Sequence, residues 1–141
     1  MRALGLDLGS RRIGVALSDG DGRVATPLTT IERGRDHGID HQAIAALIDE
    51  WDVTIVAVGL PLSLDGTMGP AAQRVAEEVA ELARALAVPI KTVDERFTTV
   101  TAGAQLRAAG VKGRNRKRVI DQGAAAVLLQ AWLDRQETNP C

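Results

Sequence analysis

Three acidic residues stand where the surrounding pattern favours something else. Asp7 sits inside an apolar run, between Leu6 and Leu8. A buried carboxylate without a partner is costly, so this one needs a cation or hydrogen-bond donors. Glu95 lies immediately past a short apolar stretch at 89–93, at a carboxyl end where α/β sheets gather their sites. Asp121 precedes Ala125, Leu128 and Trp132 by four, seven and eleven residues, so it shares their helical stripe and points with them toward the core. Carboxylates brought together repel one another unless a cation intervenes. Hard divalent ions such as Mg²⁺ or Mn²⁺ prefer oxygen ligands. Two of them about 4 Å apart can activate water and stabilise a leaving oxygen in phosphoryl displacement. The expected chemistry is metal-dependent hydrolysis of a phosphodiester, with Asp7, Glu95 and Asp121 as metal ligands. Asp94 competes with Glu95, because adjacent strand residues face opposite ways and only one enters the site. Each acid also has a simpler reading: Asp7 as a cap on the Gly9 turn, Glu95 as an ion-pair partner, Asp121 as a helix-dipole acid.

These acids can meet only if the chain folds in a particular order. Residues 2–8, 12–17 and 23–32 read as three strands, with a short gap making the first two a hairpin and Pro27 placing the third at an edge. Ile44, Leu47, Ile48 and Trp51 mark an amphipathic helix, capped by Asp36 or Asp40. Residues 53–58 are a continuous apolar run, as in a strand covered on both faces. A loop at 59–69 leads to a helix opening at Pro70 and carrying Val75, Val79, Leu82 and Leu86. Residues 89–93 form a last strand, followed by helices at 98–108 and 116–135. The order β-β-β-α-β-α-β-α-α predicts an α/β sandwich. Its five-stranded mixed sheet has three antiparallel strands, then two parallel, with helices on both faces. The first strand is central, and the last helix can pack over it. The domain is expected to span 1–135, leaving 136–141 as a short tail.

The chain has 141 residues, 45% apolar and 25% charged, which is ordinary globular composition. Its net charge is −1, but the charge is unevenly spread. Residues 96–120 contain no acid and hold seven of the 17 basic side chains. Lys112, Arg114, Arg116, Lys117 and Arg118 are therefore candidate phosphate contacts, binding with strong salt dependence rather than reading sequence. Arg11 and Arg12 follow the Asp7 turn and are further candidates, one of them expected to face only solvent. Ser63 and Gly66 belong to the 59–69 loop, whose glycines Gly59 and Gly66 permit close approach of a nucleic-acid backbone. The sole cysteine is Cys141, and no stretch approaches the roughly 20 apolar residues of a membrane span. A cytoplasmic, non-membrane protein is expected. His37 and His41 are one helical turn apart, but no nearby acid completes a zinc set in sequence, so an exposed helix start is the expectation. The Asp19–Gly22 run reads as a turn rather than a calcium loop, because Thr30 replaces the terminal glutamate. Trp51 and Trp132 sit on apolar stripes and read as core. Thr98 reads as a helix cap.

At the stretches LGLDLGSRRIGVALSD (4–19), VGLPLSLDGTMG (58–69), DERFTT (94–99) and IDQGAAAVLLQAWLD (120–134), the chain closely resembles the YqgF family, also called RuvX. Members of that family carry the names Holliday junction resolvase and pre-16S rRNA nuclease. The resemblance spans nearly the whole chain in the family's order. It implies an RNase H-like fold, an acidic triad at Asp7, Glu95 and Asp121, and hence Glu95 over Asp94. It also implies a role in maturing the 5′ end of 16S ribosomal RNA, with RNA or pre-ribosomal particles as partners. A junction resolvase acting on structured DNA would need a dimer; no dimer helix is evident, and a monomer is favoured. A non-catalytic RNA-binding adaptor is the other alternative. A sugar-kinase-like phosphate binder also uses a DLGS hairpin, but needs two such domains around its nucleotide.

Overall fold

The computed structural model describes residues 1–95 and 113–138; for 113–119 and 137–138 it describes only the backbone. Five strands form one sheet: β1 (Ala3–Leu8), β2 (Arg12–Ser18), β3 (Ala25–Glu32), β4 (Ile55–Leu60) and β5 (Ile90–Asp94). Their order across the sheet is β3-β2-β1-β4-β5. The β1–β2 and β2–β3 pairs are antiparallel; β1–β4 and β4–β5 are parallel. The expected mixed sheet with a central β1 is therefore present. Pro27 lies on the edge strand β3, where its missing N–H costs no ladder bond, and the β2–β3 register shifts beside it. Helix α1 (His37–Trp51) is capped by Asp36, whose carboxylate accepts from the Ile39 N–H at 3.0 Å. Helix α2 (Pro70–Ala85) opens on its proline, and helix α3 (Gly113–Thr138) is the long terminal helix. The helix expected at 98–108 lies outside the described residues, and the terminal helix, expected from 116, begins at Gly113.

Side-chain alternation gives the sheet two unlike faces. Leu4, Leu6 and Leu8 of β1, Ile13, Val15 and Leu17 of β2, and Val56 and Val58 of β4 point one way. They pack with Ile44 and Ile48 of α1 and Val75 and Leu82 of α2. The opposite face carries Ala3, Ala16, Ala25, Ala57 and Val93 against Ala125, Ala126, Leu129, Trp132 and Leu133 of α3. Small residues on this face let α3 lie close to the strands. A methyl group on Gly5 would stand 2.7 Å from Leu129 Cβ, and one on Gly14 would collide with the Asp121 backbone carbonyl. Gln130 fixes the helix to the β3 end of the sheet by accepting from Ala25 N at 2.9 Å and donating to Arg23 O at 2.8 Å. Both tryptophans pack as core: Trp132 is buried and Trp51 partly so. Asp19 closes a turn, accepting from the Arg23 and Val24 amides at 2.7 and 3.1 Å. Among the described residues, no helix is long and apolar enough to cross a membrane.

Candidate active site

Asp7 is an odd-numbered residue of β1, so it emerges on the α3 face with Ala3 and Gly5. It pairs with Gly14 on β2. On the other side β1 and β4 run in register from Ala3↔Ile55 to Leu6↔Val58, so the next step sets Asp7 beside Gly59. Asp7 thus has a glycine on each neighbouring strand. The structure ends β4 at Leu60, so Gly59 is a strand residue and not part of the loop expected at 59–69. Its role is close approach: a methyl group at Gly59 would collide with the Glu95 carboxylate and stand 2.9 Å from Leu128 Cδ2. Glu95 therefore lies back over β4 toward Asp7. Of the two adjacent acids, Asp94 ends β5, and the carboxylate of Glu95, just past the strand, is the one that stands over Gly59.

Asp121 approaches from above. Its backbone rests on Gly14, the partner of Asp7, and its Oδ2 accepts from Arg12 Nε at 2.7 Å. Arg12 reaches it because even-numbered residues of β2 face α3. Charge couples all three acids. Burial, then the Asp121 charge, pushes the Asp7 carboxyl from its ordinary 3.8 up to about 6. Burial, then Asp7, then Asp94, pushes Glu95 from 4.5 up to about 7. The turn after Asp7 is closed by backbone, with the Gly9 N–H donating to Asp7 O at 3.1 Å and Arg12 O at 3.0 Å. The three acids are thus brought, half-buried, to the carboxyl end of the central strand, and burial and mutual charge raise the proton affinity of Asp7 and Glu95. Carboxylate oxygens suit a hard cation, and such an ion would have to draw these three together, since among the described residues their ligand atoms do not all lie within 4.8 Å of one another.

The expected phosphate contacts divide. Arg11 is exposed on the β1–β2 turn, whereas Arg12 is engaged with Asp121. Ser63 is exposed and Gly66 half-buried in the loop after β4, a turn closed by Gly66 N–H to Ser63 O at 2.8 Å with Gly66 at φ 88°. Arg114, Arg116, Lys117 and Arg118 lie on the first turns of α3, their side chains outside the description; Lys112 and Thr98 fall outside the described residues altogether.

The histidine pair corrects an expectation. His41 is buried rather than on an exposed helix start, and an acid does complete the group: Glu78 of α2, with Oε2 2.9 Å from His41 Nε2. The missing partner was 37 residues away. Its signal was available, since Glu78 sits on the α2 stripe between Val75 and Leu82, as Asp121 does on α3.

The chain is similar to proteins of known family. The family profile of RuvX, described as Holliday junction resolvase, matches residues 1–135. A Mycobacterium ulcerans protein named as a candidate pre-16S rRNA nuclease is 47% identical over 138 residues, covering 97% of this chain and 81% of its own. A Streptomyces coelicolor protein of the same name is 47% identical over 139 residues, covering 98% and 83%. Among solved structures, Thermus thermophilus RuvC in complex with a Holliday junction substrate superposes with a TM-score of 0.58 at 16% identity, covering 98% of this chain and 97% of that one. That likeness is one of fold, and it gives the sheet and its helices the RNase H-like architecture. With a profile match from the first strand through the last helix and close relatives along almost the entire length, this chain belongs to the RuvX family.

Proposed function

We propose that this protein is a divalent-metal-dependent nuclease that hydrolyses phosphodiesters in RNA, in maturation of the 5′ end of pre-16S ribosomal RNA. The observation that carries the reading is the set of three half-buried carboxylates on one sheet face, two of them with proton affinity raised by burial and then by neighbouring negative charge. Carboxylates gathered in this way are suited to cation binding or proton transfer. Asp7, Glu95 and Asp121 would hold Mg²⁺ or Mn²⁺. The ion, when bound, supplies Lewis-acid polarisation of the phosphate and a reactive water at neutral pH.

The chain's own contribution is position. Asp7 is fixed within the sheet by its pairing with Gly14 on β2. Arg12 orients the Asp121 carboxylate and shares its charge until an ion arrives. Gly59 leaves room for Glu95 to fold back. Arg11, the Ser63–Gly66 loop and the basic run from Lys112 to Arg118 would hold phosphates flanking the scissile bond, as a sequence-independent, salt-sensitive grip. The names borne by the close relatives favour RNA over DNA. Resolution of four-way DNA junctions is the second reading, favoured by the family's description.

The test is a cleavage panel with Mg²⁺ or Mn²⁺ on RNA carrying the pre-16S 5′ extension, on generic single- and double-stranded RNA, and on a four-way DNA junction. Asp7→Asn should lower RNA cleavage by roughly 1000-fold, about 4 kcal/mol in the barrier, while RNA affinity stays within a few-fold. Cleavage by Asp7→Asn near the wild-type rate removes Asp7 from the chemistry. Preference for the junction transfers the assignment to DNA.

A further inference from the structure

On the leucine-rich side of the sheet, opposite the face that carries Asp7 and reaching the turn that follows it, helices α1 and α2 flank a cleft of about 700 Å³. His37 and His41 stand one turn apart on α1, with ring centroids 5.7 Å apart. Facing them, α2 presents Glu78 and Glu81. His41 Nε2 lies 2.9 Å from Glu78 Oε2, and His37 Nδ1 lies 2.7 Å from Glu81 Oε2 and 4.0 Å from Glu78 Oε2. One ligand atom from each of His37, His41 and Glu78 falls within 4.8 Å of the others. A tetrahedral ion with bonds of about 2.0–2.1 Å keeps its ligands about 3.3 Å apart. The separations of His37 and His41 from Glu78 straddle that value, and Glu81, beside His37 Nδ1, is the nearest further donor on α2.

The surroundings are those of a supported ligand set. Arg33 grips Glu78 through both oxygens, at 2.6 Å to Oε2 and 2.8 Å to Oε1, and also donates to Asp40 at 3.2 Å. Releasing Oε2 to an ion leaves the bond to Oε1 in place as an outer support, which is how ligand carboxylates are usually held. An anion fits less well: the cleft lining carries five acids against three arginines. Imidazole nitrogens favour zinc and similar ions over Mg²⁺, which seeks oxygen.

We propose that His37, His41, Glu78 and Glu81 form a second metal site, selective for Zn²⁺ or a similar transition ion and separate from the Asp7 carboxylates. Such an ion would clasp α1 to α2. It would also bear on the turn after Asp7, because Arg33 donates to Gly9 O at 3.0 and 2.9 Å.

The experiment is calorimetric titration of the metal-stripped full chain with ZnCl₂, in saturating Mg²⁺ to fill the oxygen site. Co²⁺ substitution then reports coordination through its visible spectrum. Wild type and Asp7→Asn should bind one equivalent alike, with intense tetrahedral cobalt bands. His37→Ala should bind roughly 100-fold more weakly and lose those bands. The His37 side chain is 52% exposed, so its removal leaves the fold intact; Glu81→Gln is a second surface variant with the same expected direction. Undiminished zinc affinity in both variants, loss of binding in Asp7→Asn, or no binding by wild type overturns the proposal.

Discussion

At the residue scale, Asp7 and Glu95 bind protons more tightly in the folded, metal-free protein than in the unfolded chain, with pKa values of about 6 and about 7. Protonation therefore favours folding. The contribution of these groups is fully present below pH 4 and is lost as pH rises through about 6 and 7. In EDTA, Asp7→Asn should thus melt higher than wild type at pH 8, by an amount on the order of 1–3 kcal/mol, and alike at pH 4. Thermal denaturation at the two pH values checks this; a variant less stable at both would mean that Asp7 is satisfied by donors. Asp7 and Asp121 were legible in sequence because each interrupts an apolar pattern. The choice of Glu95 over Asp94 rested on family resemblance; the structure sets the Glu95 carboxylate over Gly59, just past the end of β5. Glu78 was legible as an acid on an apolar stripe, but its pairing with His41 was not, because that depends on which faces of two separate helices meet.

Among elements, the placement of α3 depends on residues that lack side chains. An added Cβ at Gly14 meets Asp121 backbone, which cannot rotate away, so the helix must lift. Gly14→Ala should cost about 1–3 kcal/mol in urea denaturation and impair cleavage as well. At Gly59 the obstacle includes a flexible carboxylate, so Gly59→Ala should cost less stability yet displace Glu95 and still reduce turnover. Gly20→Ala, with only Arg2 Nη2 at 3.7 Å, is the neutral control. Equal stability and full activity in Gly14→Ala would show that α3 does not fix Asp121. Strand and helix positions were readable from alternation and 3.6-residue periodicity to within a few residues. β4 extends two residues past the expected end because Gly59 and Leu60 pair with Val93 and Asp94, a partnership that local composition does not announce.

Across the whole molecule, one side of the sheet carries most of the large apolar burial, and the other brings a helix near enough to complete a site. Leu6→Ala, on the side facing α1 and α2, should cost about 2–5 kcal/mol while leaving kcat of the remaining folded protein unchanged. Denaturant titration alongside single-turnover cleavage separates the two effects. The division runs along a single strand, since Leu4, Leu6 and Leu8 turn one way and Gly5 and Asp7 the other. If Asp7 serves as proposed, adjacent codons of β1 answer to different selective demands, one for persistence in the cell and the next for chemistry. A mutational scan scored once for abundance and once for catalysis should show a two-residue beat along this strand, the two profiles out of step with each other.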